Sequence, residues 1–256
     1  MTVFTVLGSG TSTGVPSVAC ECATCTSTDL RDKRLRTSLL VQTETTTVVI
    51  DTSLDFRQQM LANKVLDIDG VVFTHHHFDH IGGFDDVRPF NFRSGKPLPI
   101  FAMQETVDVL HSTFPYAFGL VESTGASTPE VDVHIIDKGA FLIGDIVVLP
   151  IPMAHGSRMR VNGYRIGDVA YCTDTNFIPQ SSRELLMGLD TLIIDGLRWE
   201  AHPTHFTVDQ SCSMIESLQP RKAYLTHIAH QLKHEETSAR LPNSVELAWD
   251  GLVIRA

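Results

Sequence analysis

The segment Thr74-His75-His76-His77-Phe78-Asp79-His80 follows the apolar run Gly70-Val71-Val72-Phe73 and precedes Ile81-Gly82-Gly83. Four side chains able to bind a metal, His75, His77, Asp79 and His80, are crowded into it where a Val/Phe-rich strand signal gives way to a loop. In extended chain His75 and His77 share a side. Asp79 and His80 leave that side only if the chain turns after Phe78, so one turn can serve two ions. Imidazole with carboxylate suits zinc, iron or manganese, and the lack of a thiolate argues against a closed structural zinc site. His76 has the opposite parity and is expected to pack or to support its neighbours, not to coordinate.

A second group stands near the N-terminus, Cys20-Glu21-Cys22-Ala23-Thr24-Cys25. Three thiolates lack a fourth ligand nearby, whereas a closed zinc site wants four. Five cysteines in all, three of them here, fit metal ligation in a reducing compartment better than disulfides.

The pattern His-x-His-x-Asp-His after a strand resembles the signature of the metallo-β-lactamase superfamily. That resemblance implies further ligands on later loops, and the chain offers His155 in Pro-Met-Ala-His-Gly, Asp174 in Cys-Thr-Asp-Thr and His227 in Thr-His-Ile, the last two at the ends of strand-like runs. It also implies an α/β (α+β) fold of four layers, an αβ/βα sandwich with the ions at one edge. Gly8-Ser9-Gly10-Thr11-Ser12-Thr13-Gly14-Val15-Pro16 resembles the opening of the phosphodiesterase branch, which includes tRNase Z and the cyclic-phosphate phosphodiesterases. The cysteine knot is similar to that of the phosphoribosyl 1,2-cyclic phosphate phosphodiesterase family of bacterial phosphonate breakdown, where a His shortly after the last active-site His completes it. Here that implies His227 for the active site and His230 for a structural zinc.

The resemblance thus implies one ion on His75, His77 and His155, a second on Asp79, His80 and His227, and Asp174 bridging them. Two ions about 3.5–4 Å apart would acidify a shared water, whose hydroxide attacks phosphorus. His205, just before a helix capped by Thr207, matches the His that lies near the scissile phosphate in that branch; it and Asp79 are the expected catalytic residues. His202 reads as a loop histidine without a role. Asp51 is expected either to orient a ligand imidazole or simply to cap a helix. The expected cofactors are therefore two divalent ions, zinc or manganese and also iron, with one structural zinc.

Elements must hold these donors. Thr2–Leu7 reads as a strand, and the Gly-rich turn after it either cradles phosphate or merely turns. Residues 36–42 and 46–50 read as a hairpin, 54–64 as a helix, 97–101 as a strand and 105–112 as a short helix. Residues 131–136 and 140–151 read as strands of a second sheet. A buried strand is expected at Thr191–Asp195, then an exposed loop carrying His202 and His205, then a helix to Leu218. Segment 113–130 is expected to flank the site or to join a homodimer.

At 256 residues, 43% apolar and 20% charged, with no linker or low-complexity tract, the chain is expected to be one domain, 1–256. A net charge of -10 argues against a general nucleic-acid surface or an anionic membrane surface. The N-terminal stretch lacks a basic segment and a secretory apolar core, so a cytoplasmic location is expected. The substrate is expected to be a small cyclic phosphodiester with no stable nucleic-acid partner. The rivals are a tRNase Z-like endonuclease, which needs a basic arm the sequence does not display, and a non-hydrolytic metal-binding protein of the same fold.

Overall fold

The computed structural model describes residues 1–121, 128–137 and 139–256. In chain order the strands are β1 (Val3–Gly8), β2 (Ser38–Gln42), β3 (Thr47–Ile50), β4 (Gly70–Val72), β5 (Leu98–Ala102), β6 (Val131–Ile135), β7 (Phe141–Ile143), β8 (Ile146–His155), β9 (Met159–Ile166), β10 (Val169–Cys172), β11 (Thr191–Asp195), β12 (Lys222–Thr226), β13 (Val245–Leu247) and β14 (Val253–Arg255). The helices are α1 (Phe56–Ala62), α2 (Phe78–Ile81), α3 (Arg88–Ser94), α4 (Gln104–Thr113), α5 (Gln180–Leu185), α6 (Val208–Leu218) and α7 (His234–Ser238). Among the described residues the strands form two sheets of seven, ordered β14-β1-β2-β3-β4-β5-β6 and β13-β12-β11-β10-β9-β8-β7.

Strand alternation builds three cores and hence four layers. Val48 and Ile50 of β3 face Val169 and Tyr171 of β10 and Ile193 of β11 between the sheets. Val49, one residue out of phase, faces Phe56, Met60 and Phe84 beneath the first sheet's helices. On the far side Ala170, Cys172, Leu192 and Ile194 pack against Val208, Met214, Ile215 and Leu218 of α6. This is the α+β sandwich of the metallo-β-lactamase type.

The expected hairpin is present, with Leu39 opposite Ile50 and Gln42 opposite Thr47. One strand is placed differently from expectation: β6 lies at the edge of the first sheet, parallel to β5 with Leu98 opposite Val131, and only the chain from Phe141 onward enters the second. The reason is the helix α4 between β5 and β6, a crossover that returns the chain to the same sheet as a parallel neighbour. The helix expected at 54–64 is shorter, and its N-cap is Asp55, with no side-chain cap bond.

Parallel pairing decides where the chemistry sits. β3, β4 and β5 run together, as do β10, β11 and β12, so their C-terminal ends share one edge of the sandwich. Residues following those ends, Asp51, His75, Asp174, Asp195 and His227, therefore converge. Two bonds tie this edge across the sheets: the Tyr164 hydroxyl donates to the Phe73 carbonyl at 2.6 Å, and the Asn162 amide donates to the Thr74 carbonyl at 3.0 Å. Behind the His-rich turn, Phe84 is fully buried among Phe73, Phe114 and Phe118. Truncating such a ring typically costs about 3–5 kcal/mol. Residues 113–121 thus brace the turn from behind, while 122–127 lie outside the described residues.

The Gly-rich turn after β1 has a structural role. Four of its amides are bonded within the chain: Gly10 to the Leu35 carbonyl, Thr11 to Ile228, Gly14 to Thr11 and Ser9 to the Asp250 carboxylate. None of these is left for a phosphate. Gly8 is required because a Cβ there would run into the Arg36 carbonyl. Among the described residues no helix is long and apolar enough to cross a membrane.

Candidate metal centre

The chain leaves β4 through Phe73 and Thr74, and His75 follows fully buried. His77 is the N-cap of α2, and that short helix, not an irregular loop, carries Asp79 and His80. His155 closes β8. Asp174 follows β10 and His227 follows β12, both within 1% of complete burial. Asp51, Asp174 and His227 adopt φ of 66°, 53° and 57°. Non-glycine residues rarely take this left-handed conformation, and here it turns each side chain back over its strand end.

Ligand atoms of His75, His77, His155 and Asp174 lie within 4.8 Å of one another, and so do those of Asp79, His80, Asp174 and His227. Asp174 belongs to both groups. Its Oδ2 stands 3.1 Å from His80 Nε2 and 3.6 Å from His75 Nε2, and its Oδ1 stands 3.3 Å from His227 Nε2. All seven donors expected from the sequence are thus brought together.

The hydrogen bonds around them fix the tautomers that expose lone pairs. His80 Nδ1 donates to Asp51 Oδ2 at 2.7 Å, which turns Nε2 toward Asp174 and Asp79. Asp51 also accepts from the Thr74 amide and hydroxyl, both at 2.8 Å. Its orienting role, and not helix capping, is the one the geometry supports. His75 Nδ1 meets the Thr74 hydroxyl at 3.0 Å. What remains is a set of buried, unpartnered imidazole nitrogens: His75 Nε2, His155 Nδ1 and both of His227. Orphaned nitrogens at such depth are rare in folded proteins, and His75 Nε2 and His227 Nε2 face the Asp174 carboxylate at 3.6 and 3.3 Å, gaps that a cation would fill. The donor set therefore fits divalent metal.

Electrostatics agree. Burial pushes the His155 imidazole down to about 4 and holds His75 well below its ordinary value, so both are neutral at pH 7, the form that can bind a metal. Burial opposes charge on Asp79 and Asp174, yet the neighbouring histidines hold both carboxyls below the usual range.

His205 corrects one expectation. It is not exposed but 8% accessible, because its loop folds back: the Phe206 amide donates to the Thr175 carbonyl at 2.8 Å and Leu197 to Phe206 at 3.2 Å. Its ring stacks on His227 at 4.6 Å and meets His155 edge-on at 4.7 Å. Asp195, which sequence reasoning left without a role, accepts from His205 Nδ1 at 2.7 Å and from the Thr175 amide at 2.9 Å. The available signal was a carboxylate ending an otherwise apolar strand. Burial disfavours a charged His205, but Asp195 outweighs it and the ring is pushed up to about 9. His202 lies 5.0 Å from His205, with Nδ1 on the Thr204 hydroxyl.

Cys20, Cys22, Cys25 and His230 also come together. Sγ of Cys20, Cys22 and Cys25 lie 3.2, 3.4 and 3.6 Å from His230 Nδ1. Tetrahedral zinc with bonds of ~2.3 Å to sulfur and ~2.0 Å to nitrogen gives S···N edges of about 3.5 Å. The Cys25 amide helps to pull the Cys22 thiol down to about 6. The group is joined to the site through the chain, since His230 stands three residues past His227.

Two sheets and one shared edge carrying this donor set agree with the comparison by family, in which residues 46–228 match the model described as a Beta-lactamase superfamily domain: the chain belongs to the metallo-β-lactamase superfamily. Among solved structures it is similar to a diphosphatase of the PhnP family, with 44% identity and a TM-score of 0.92 over 99% of this chain and 96% of that one. It also resembles zinc-bound PqqB from Methylobacterium extorquens, with 19% identity and a TM-score of 0.77 over 100% of each chain. A Porphyromonas gingivalis (strain ATCC BAA-308 / W83) protein named octanoyltransferase is 38% identical over 251 residues, 96% of this chain but 50% of that protein. The chain thus spans about half the length of that curated relative.

Proposed function

We propose that this protein is a divalent-metal-dependent phosphodiesterase that hydrolyses a small phosphodiester, of the cyclic ribose phosphate kind, to a phosphomonoester. The observation that carries the reading is the sharing of Asp174 between two convergent donor groups. His75, His77 and His155 would hold one ion, Asp79, His80 and His227 the other, and Asp174 both. When bound, such ions supply Lewis-acid charge for phosphoryl oxygens and lower the pKa of water toward neutrality.

The chain's own residues supply the rest. Asp51 keeps His80 turned inward, and Thr74 does the same for His75. Asp195 holds His205 by Nδ1, which leaves Nε2–H at the opposite edge of a protonated ring to donate to a phosphoryl oxygen or to the departing alkoxide. General acid assistance of this kind contributes roughly 10²–10⁴-fold. The overall change adds water across one P–O bond: the oxygen of water goes to phosphorus and a proton to the alkoxide. His205 and Asp79 are the catalytic residues in this proposal, and the Cys20, Cys22, Cys25 and His230 set would hold a structural zinc.

The name of the 44% identical relative favours a second reading, cleavage of a diphosphate linkage, which uses the same donors. Acyl transfer, suggested by the octanoyltransferase name, has less support, because this chain covers only 50% of that protein. A net charge of -10 weighs against tRNA or other nucleic acid as partner and favours a small substrate.

The test is a panel of ribose cyclic phosphates, 2′,3′-cyclic nucleotides, an aryl diester and a diphosphate, assayed with added zinc or manganese. Hydrolysis of the cyclic diesters, with Asp174→Asn slower by at least about 10²-fold, is expected. Activity on none of them, or full activity in Asp174→Asn, overturns the proposal.

A further inference from the structure

His234 and Ser238 stand one turn apart on α7 and so share a face of that helix. His234 is 3% accessible, yet its Nδ1 has no hydrogen-bond partner, and neither has the buried Oγ of Ser238. A neutral imidazole carries one donor and one acceptor nitrogen, and a polar group left unmade at such depth costs about 1–3 kcal/mol. Both side chains line a cleft of about 440 Å³ together with Trp249, Asn243, Arg31 and Glu246, and the seven His/Asp donors of the metal centre are not among its lining residues. That volume falls within the roughly 300–1,000 Å³ of small-molecule sites. The Trp249 indole is half-buried and meets the His234 ring edge-on at 6.0 Å. Asn243 is exposed, and its amide makes no hydrogen bond among the described residues. Asp29 holds Arg31 by Nε at 3.1 Å and Nη2 at 2.7 Å, which leaves Nη1 unpaired among the described residues. The Glu246 carboxylate is neutralised by the Lys222 ammonium.

We propose that this cleft is a nucleotide-binding site separate from the metal centre, with the base against the Trp249 indole, the base edge on Asn243, His234 and Ser238, and the phosphate on Arg31. An indole offers a flat apolar surface on which any base stacks, worth about 1–3 kcal/mol per base. An amide, a neutral imidazole and a hydroxyl together both donate and accept, as the ring nitrogens and exocyclic groups of a base do. Guanidinium suits phosphate because it stays charged at any working pH and aims several N–H donors at the oxygens. A wholly apolar ligand would leave His234 Nδ1 and Ser238 Oγ as unpartnered as before. The cleft also touches the segment that leaves the metal centre: Asp32 Oδ1 accepts from the His234 amide at 2.8 Å and from Arg34 Nη2 at 3.1 Å, and Arg34 donates to the Leu232 carbonyl at 2.8 Å. An occupant of the cleft therefore bears on the chain just past His227 and His230. The inference does not depend on the phosphodiesterase reading.

The experiment is calorimetric titration of the zinc-loaded protein with AMP, with adenosine and ribose 5-phosphate as the partial ligands. Saturable AMP binding with a Kd below about 1 mM is expected, and each partial ligand should bind at least about 10-fold more weakly. The double variant Arg31→Ala/Asn243→Ala should weaken AMP binding at least about 10-fold, while the same binding survives in Asp174→Asn. Cooperative thermal unfolding of each variant shows that it is folded. Absence of saturable AMP binding overturns the site, and so does ribose 5-phosphate binding as tightly as AMP. AMP binding that is kept in the double variant and lost in Asp174→Asn belongs to the metal centre and overturns it as well.

Discussion

Asp195 Oδ2 lies 2.7 Å from His205 Nδ1, joining the end of β11 to the loop before α6 directly above the His/Asp groups. Ser211, in the first turn of that helix, donates to the Asp195 backbone carbonyl, so the strand end and the helix are locked to each other. The pair explains why a histidine on a connecting loop is held as firmly as the donors on strand ends. Asp195→Asn keeps the shape and removes the negative charge. The expected result is a fall in kcat of about 10²-fold with metal content unchanged, read by steady-state kinetics beside elemental analysis. Loss of metal instead would make Asp195 a ligand.

Asp51 has a different partner and a different expected effect. Its carboxylate takes the His80 imidazole and two donors of Thr74 from a position that is completely buried. Asp51→Ala should weaken divalent metal binding by about 10–100-fold, measured by equilibrium dialysis, and should slow hydrolysis only as far as the metal is lost. Unchanged affinity would reduce Asp51 to a structural role.

The sequence carried the donors because His75, His77, Asp79 and His80 sit in one short stretch and Asp174 and His227 end strand-like runs. The four layers were not legible from periodicity; they came from the resemblance. Two positions went astray for identifiable reasons. β6 was expected in the second sheet because its composition looks like that of β7 and β8, whereas its sheet is decided by the crossover through α4. His205 was expected to be exposed because the loop around it is polar, yet backbone pairing with Thr175 and Leu197 buries it. Asp195 showed only as a carboxylate ending an apolar strand and Tyr164 not at all, since their roles depend on partners 10 and 91 residues away.

The cysteine site makes a prediction about stability. It pins residues 20–25 to the segment leaving His227, next to the buried Arg34, which donates to the Leu232 carbonyl at 2.8 Å. Cys22→Ser should lose one zinc per chain and lower the thermal midpoint by about 10 °C, because binding energy at a closed zinc site is folding energy. A midpoint that stays put would mean that the knot does not stabilise the fold.

His234 sets a pH dependence away from the metal groups. It is 3% accessible and packs edge-on against Trp249 at 6.0 Å, and burial with nearby Arg31 and Arg34 pushes its imidazole down to about 4. The unfolded chain holds the proton more tightly, so this contribution to stability is complete above about pH 6.5 and is lost as pH falls toward 4. Allowing for solvent screening, it amounts to about 1–2 kcal/mol. Denaturant unfolding at pH 7.5 and 4.5 should show a smaller loss in His234→Phe than in the wild type. Equal losses would contradict the assignment.

The central claim is that Asp174 serves two ions held by His75, His77, His155, Asp79, His80 and His227. The most direct measurement is the metal content of the purified protein by elemental analysis, set beside that of Asp174→Asn. About three divalent ions per chain, falling toward one in the variant while the cysteine-bound zinc stays, is the expected result. A wild-type protein that binds a single ion at saturating zinc or manganese, lost only with the cysteines, would contradict it.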